Sequence, residues 1–135
     1  MVPLFLVFGD FGLLALRLAV GAILIGHGWP KIKNLRANAV GFEGMGFKPG
    51  FVWGTIVALL EFVGGIAIFA GFLVQPLAVL FAIQFVVILL TVKRGKPLIH
   101  GTDLDILILA AALALATVGG GAPSVDAFLG FVLWR

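Results

Sequence analysis

The 135-residue chain has no cysteine and no tyrosine, and its charge is sparse: nine Lys/Arg and six Asp/Glu. Without cysteine, disulfides, thiolate metal sites, iron–sulfur clusters and thiol–disulfide relays are excluded within the chain. Charged residues make up 11% of the sequence, against about 25% in soluble domains. Hydrophobic residues reach 62% and the mean hydropathy is +1.25. So few charges cannot cover the surface of a soluble fold of this size, and disorder requires the opposite composition. The pI of about 9.8 reflects an excess of three positive charges, too few to argue for nucleic acid. The 13 phenylalanines suit apolar packing better than base stacking. No phosphate loop, zinc-protease helix or nucleophile elbow is present. A cleavable signal peptide is not expected either, because Met1–Gly9 lacks Lys and Arg while Asp10 and Arg17 interrupt the first apolar run.

What the chain does have is apolar length. Four stretches separate at about 11–29, 51–71, 76–92 and 104–118, punctuated by Pro30, the glycine-rich segment before Phe51, Gln75-Pro76 and Gly119-Gly120-Gly121. A span takes about 20 apolar residues, so four would fill the chain and leave one membrane domain over 1–135. The expectation is an all-α polytopic membrane protein, a four-transmembrane-helix bundle in contact with the lipid bilayer. The tail from Ser124 to Trp134-Arg135 reads as an interfacial segment. Lys31, Lys33, Arg36, Lys48, Lys93, Arg94 and Lys96 all fall between the first and second or the third and fourth stretches. By the positive-inside rule both basic segments are cytoplasmic and both termini outside. Trp29, Trp53 and Trp134 lie near predicted span ends, as interfacial anchors do. Small residues four apart (Gly54/Ala58, Ala67/Gly71, Ala78/Ala82, Ala112/Ala116) predict close helix contacts.

The polar residues within the spans are the candidate site. Arg17, Glu61 and Gln84 occupy the first, second and third, where a charge costs roughly 2.5–3.5 kcal/mol and normally faces the bundle interior with a partner. Depths counted from the span ends place all three in one layer, and an Arg17–Glu61 pair is expected. Its role is open between fixing helix register and binding a polar head group or proton. A second cluster, His27, His100, Asp103 and Asp105, gathers at the cytoplasmic end. Imidazole and carboxylate can ligate metals, but this spacing is no metal pattern, and helix capping by Thr102 or Asp103 is the simpler account. No metal site is expected, and no catalytic residue can be assigned.

Arg17-Leu-Ala-Val-Gly21, His27-Gly28-Trp29-Pro30-Lys31, Glu61-Phe-Val-Gly64-Gly65 and Gly101-Thr-Asp103-Leu-Asp105 occur in an order that resembles the DoxX family of small four-span bacterial membrane proteins. The resemblance runs from about Phe11 to Pro123. Val74-Gln75 stands where a basic residue would follow the second span in that pattern. The resemblance implies the bacterial plasma membrane and respiratory or redox-stress chemistry, with relatives linked to thiosulfate:quinone oxidoreductase or to assemblies with superoxide dismutase and a sulfurtransferase. The leading expectation is therefore a membrane subunit or anchor of a quinone-linked redox complex, with other subunits as partners. No cofactor is evident in the chain itself, and a quinone is the candidate. Arg17, His27 or Gln84 would donate to its carbonyls, and Glu61 or an Asp would exchange protons. The alternative is a non-catalytic assembly factor or a small-solute permeation protein. Substrate and oligomeric state are not legible.

Overall fold

The computed structural model describes residues 8–131 and Leu133 and is all-helical over them. The C-terminal Trp134 and Arg135 lie outside the described residues. Helix α1 runs Gly9–Lys33, α2 Leu35–Gly44, α3 Gly50–Ala70 and α4 Val74–Leu90. A kinked turn at Leu98–Thr102 leads into α5, Asp103–Val118, and a short α6 spans Val125–Leu129. Three stretches are long and apolar enough to cross a membrane: Gly9–Lys33, Gly50–Ala70, and Leu98–Val118 counted through the kinked turn. Helix α4 is equally apolar but has 17 residues, a length of about 26 Å.

Several boundaries differ from the sequence reading. Helix α1 does not stop at Pro30 but continues through it to Lys33. The first basic segment contains a further helix, α2, opened by Asn34, whose side chain accepts from the Ala37 N–H. Gln75 and Pro76 are not a turn. They lie in the first turn of α4, where proline is tolerated because its missing N–H would have had no helical partner. The reversal is made instead by Gly71 and Leu73, both at positive φ (82° and 50°). Glycine adopts this conformation freely, whereas leucine does so at a steric cost.

The helices pack as two antiparallel pairs. In the first, α1 lies against α3 with almost no side-chain spacing. A Cβ on Gly21 would sit 2.8 Å from Phe69 Cβ and 2.9 Å from the Gly65 carbonyl, and one on Gly28 would sit 2.5 Å from the Phe62 nitrogen. Backbones approach this closely only over glycine, which recovers dispersion energy where lipid offers no hydrophobic drive. The small pairs expected from sequence are also buried at Gly54/Ala58, Ala78/Ala82 and Ala112/Ala116. The second pair is α4 with α5, closed at one end by Lys93–Asp105 (3.5 Å) and at the other by Gly120 beside Val74. Val20 and Leu24 of α1, Ile68 of α3, Phe81 and Phe85 of α4, and Ile108 and Leu115 of α5 join the pairs in one core. Phe81 seats against Gly64. The outward faces are apolar: Ile56, Leu59, Val63 and Ile66 on α3, and Leu80 and Ile83 on α4, are exposed, the surface that lipid covers.

Candidate functional site

Two polar clusters lie inside the bundle, one near the reversal between α3 and α4 and one near its middle. The first is built on Arg17, 3% exposed. Its Nε donates to the Phe69 carbonyl (3.2 Å), Nη1 to that of Gly120 (2.7 Å) and Nη2 to that of Pro123 (2.8 Å). Phe69 belongs to the last turn of α3, whose carbonyls have no helical donor. Asp126, also buried, is the anion that acts on this guanidinium. Its carboxylate accepts from the N–H groups of Leu73 (2.7 Å) and Val74 (2.8 Å), capping α4 and holding Leu73 in its left-handed conformation. Asp10 Oδ1 accepts from Ala122 N–H (3.0 Å), and Gln75 Oε1 from Leu133 N–H (2.9 Å). These hydrogen bonds all join a side chain to backbone. The cluster ties α1, the α3–α4 reversal and the loop after α5 to one another, and a cavity of about 490 Å³ opens beside it, lined by Asp10, Ser124, Asp126 and Phe131 among others.

The second cluster centres on Glu61, likewise 3% exposed. Lys31 Nζ donates to Oε2 at 2.5 Å and Gln84 Nε2 to Oε1 at 2.7 Å. The helix register explains the meeting. Glu61 is nine residues before the end of α3 and Gln84 ten after the start of α4, so both lie about 14–15 Å from the shared reversal. On α1, Arg17, Val20, Leu24, Gly28 and Lys31 recur at helical spacing on one face. Gly28 brings that face onto the backbone at Glu61-Phe62. Lys31 sits one turn further on, and helical side chains lean toward the N-terminus, which carries its ammonium back to the carboxylate. Trp29 stacks on Phe62 beside the pair (5.5 Å between ring centroids), and Lys33 lies over the Trp29 ring at 5.6 Å. Trp29 is therefore level with the middle of α3 and not at a span end, contrary to the anchoring read from sequence.

The expected Arg17–Glu61 pair does not form. Gly21 faces Phe69, so Arg17 falls opposite the end of α3, and it stands 14 residues from the lysine that Glu61 uses, about 21 Å along α1. Of the intramembrane set, Glu61 and Gln84 meet and Arg17 belongs elsewhere. The cytoplasmic-end set is not gathered into one site. His27 is exposed on α1. His100, at φ 62°, gives its N–H to Asp103 Oδ2 (3.4 Å), and Asp103 Oδ1 accepts from Leu104 N–H (3.0 Å). Asp105 pairs with Lys93. Neither Thr102 nor Asp103 makes the side-chain N-cap bond expected of it: Thr102 donates to the Pro97 carbonyl instead. Among the described residues no group of His, Asp and Glu could hold a metal ion. Sequence reading missed Lys31, assigned to a loop beyond Pro30, and Asp126, assigned to a tail. The recurrence of Arg17, Val20, Leu24, Gly28 and Lys31 at helical spacing was the available signal for the first; Asp126 had none.

A family model described as DoxX matches residues 12–94, which include Arg17, Lys31, Glu61 and Gln84. Among curated proteins the chain is 29% identical over 120 residues to one from Bacillus subtilis (strain 168) named "Putative oxidoreductase CatD", covering 89% of this chain and 88% of that one. It is 34% identical over 124 residues to "Inner membrane protein YqjF" of Escherichia coli (strain K12), covering 89% and 93%. No solved structure gives a significant match. With the polar positions of α1, α3 and α4 inside the matched segment and relatives aligned over nearly their whole length, the chain belongs to the DoxX family of membrane proteins.

Proposed function

We propose that the chain is a four-span membrane subunit of a quinone-linked redox assembly, and that Lys31, Glu61 and Gln84 are the polar end of its quinone site. One observation carries the reading: a carboxylate at mid-depth in the bundle is held by an ammonium and an amide, beside an aromatic pair. Arg17 is read as structural, because its three hydrogen bonds among the described residues end on carbonyls. The donor set fits a quinone. Lys31 keeps N–H groups beyond the one on Glu61 and is partly exposed, so it can donate to a ring oxygen. Glu61 is the group able to hold or release a proton there, and the aliphatic outer faces accommodate an isoprenoid tail. When bound, a quinone supplies two-electron redox capacity; the side chains bind, orient and manage protons. Electrons come from a partner subunit, and one relative's name points to oxidoreductase chemistry. By the positive-inside rule we read the Lys93 end of the bundle as cytoplasmic and both termini as outside a bacterial plasma membrane.

Titration of the protein in nanodiscs with a short-chain benzoquinone, followed by quenching of Trp fluorescence, tests this. Saturable binding that Lys31→Gln and Glu61→Gln each weaken at least tenfold is expected. Non-saturable quenching in the wild type would defeat the proposal, as would quinone-dependent respiration unchanged in membranes lacking the chain.

A further inference from the structure

Only one orientation of the Gln84 amide is compatible with Glu61. Nε2 donates to Glu61 Oε1 at 2.7 Å, and the reverse orientation would set two acceptors against each other. Oε1 is therefore turned away from the carboxylate. There it is shielded from solvent and has no hydrogen-bond partner. A buried acceptor in this condition is costly, and the cost is relieved by any group that brings it an O–H or N–H. Lys31, by contrast, has donors to spare. The site thus offers a ligand one donor, at Lys31, and one acceptor without a partner, at Gln84.

Resting on the quinone reading above, we infer that this site holds its ligand through a hydroxyl donated to Gln84 Oε1, and so binds the dihydroxy quinol form more tightly than the dicarbonyl quinone. A quinone oxygen accepts only. It can take a hydrogen bond from Lys31, but it leaves Gln84 Oε1 unsatisfied. A quinol offers both groups the site lacks: an oxygen that accepts from Lys31 and a hydroxyl that donates to Gln84 Oε1. Relief of one unsatisfied buried acceptor corresponds to a preference of about tenfold. Tenfold tighter binding of the reduced form raises the two-electron potential of the bound couple by about 30 mV. The site then favours receiving electrons over giving them up.

The experiment is anaerobic titration of the nanodisc protein with one short-chain benzoquinone and, separately, with its dithionite-reduced quinol, read by Trp fluorescence and by competition between the two forms. The wild type is expected to bind the quinol about tenfold more tightly, and Gln84→Leu and Gln84→Met to bring the two affinities within about twofold. The wild-type ratio decides without any variant, so misfolding of either one, recognised by circular dichroism, leaves the test intact. Equal affinities, or tighter binding of the quinone, would overturn the inference while leaving the quinone site standing. A preference that survives in folded Gln84 variants would overturn the role of Gln84. If neither form binds saturably, both the inference and the site reading fall.

Discussion

Replacing Arg17 by leucine removes three hydrogen bonds from a charged donor at a single stroke. Each such bond contributes about 1.5–3 kcal/mol, so a plain sum runs to about 4.5–9 kcal/mol. That sum is too large. The bond to Gly120 is buried, but those to Phe69 and Pro123 are only partly so, and water can reach the latter two carbonyls once the guanidinium has gone. What water cannot replace is the buried Gly120 bond and the charge facing Asp126. Removing one partner from a buried charged centre costs about 3–5 kcal/mol, and that is the expected destabilisation. Reversible unfolding by sodium dodecyl sulfate in mixed micelles, followed by far-ultraviolet circular dichroism, measures it. Arg17→Lys keeps the charge but reaches fewer of the three carbonyls, so its loss should fall between those of wild type and Arg17→Leu. Because the Glu61 cluster lies about 21 Å along α1, folded Arg17→Lys protein should bind quinone as the wild type does. A destabilisation of Arg17→Leu below about 1 kcal/mol, the range of ordinary surface changes, would refute the idea that this arginine ties the helices together.

Double-mutant cycles should separate the two clusters: Lys31→Gln with Glu61→Gln is expected to show a coupling of about 0.5–3 kcal/mol, and Arg17→Lys with Glu61→Gln less than about 0.5 kcal/mol. Two glycines two residues apart on α1, and so on different faces, should behave oppositely in the same unfolding assay. Nothing lies within 4 Å of a Cβ at Gly26, so Gly26→Ala gains up to about 1 kcal/mol of helix propensity; Gly28→Ala drives a methyl against the Phe62 backbone, parts α1 from α3, and weakens both stability and the Lys31–Glu61 pair. Asp126→Ala strips the cap from α4 and should cost about 1–2 kcal/mol, more than Asp103→Ala, whose bonds are local and exposed.

The meeting of Glu61 and Gln84 has a physical reason. Glu61 and Gln84 are counted from Ala70 and Val74, helix ends joined by a short reversal, so equal counts mean equal depth. Arg17 was counted from the start of α1, which overhangs α3. With Gly21 opposite Phe69, residues 9–19 project beyond the end of α3 by about 16 Å, and the count set Arg17 that much too deep. Lys31 was lost to a general rule about proline. Pro30 lacks one helical N–H, yet α1 continues because it lies flat against α3 at Gly28, and that contact is tertiary.

The scarcity of charge, the absence of cysteine and the four apolar stretches settled the class of molecule without any coordinates, because the cost of exposing or burying such side chains depends on composition and hardly on arrangement. Composition also marks the few polar residues that interrupt the apolar stretches. Which of them meet does not follow from composition. An ion pair needs atoms within a few ångströms, and an offset of about four helical turns between α1 and α3 moves Glu61 from an arginine to a lysine. Glycine contacts between the two helices set that offset, and no single helix encodes it. The tertiary structure therefore decided the partners: Arg17 with backbone, Glu61 with Lys31 and Gln84.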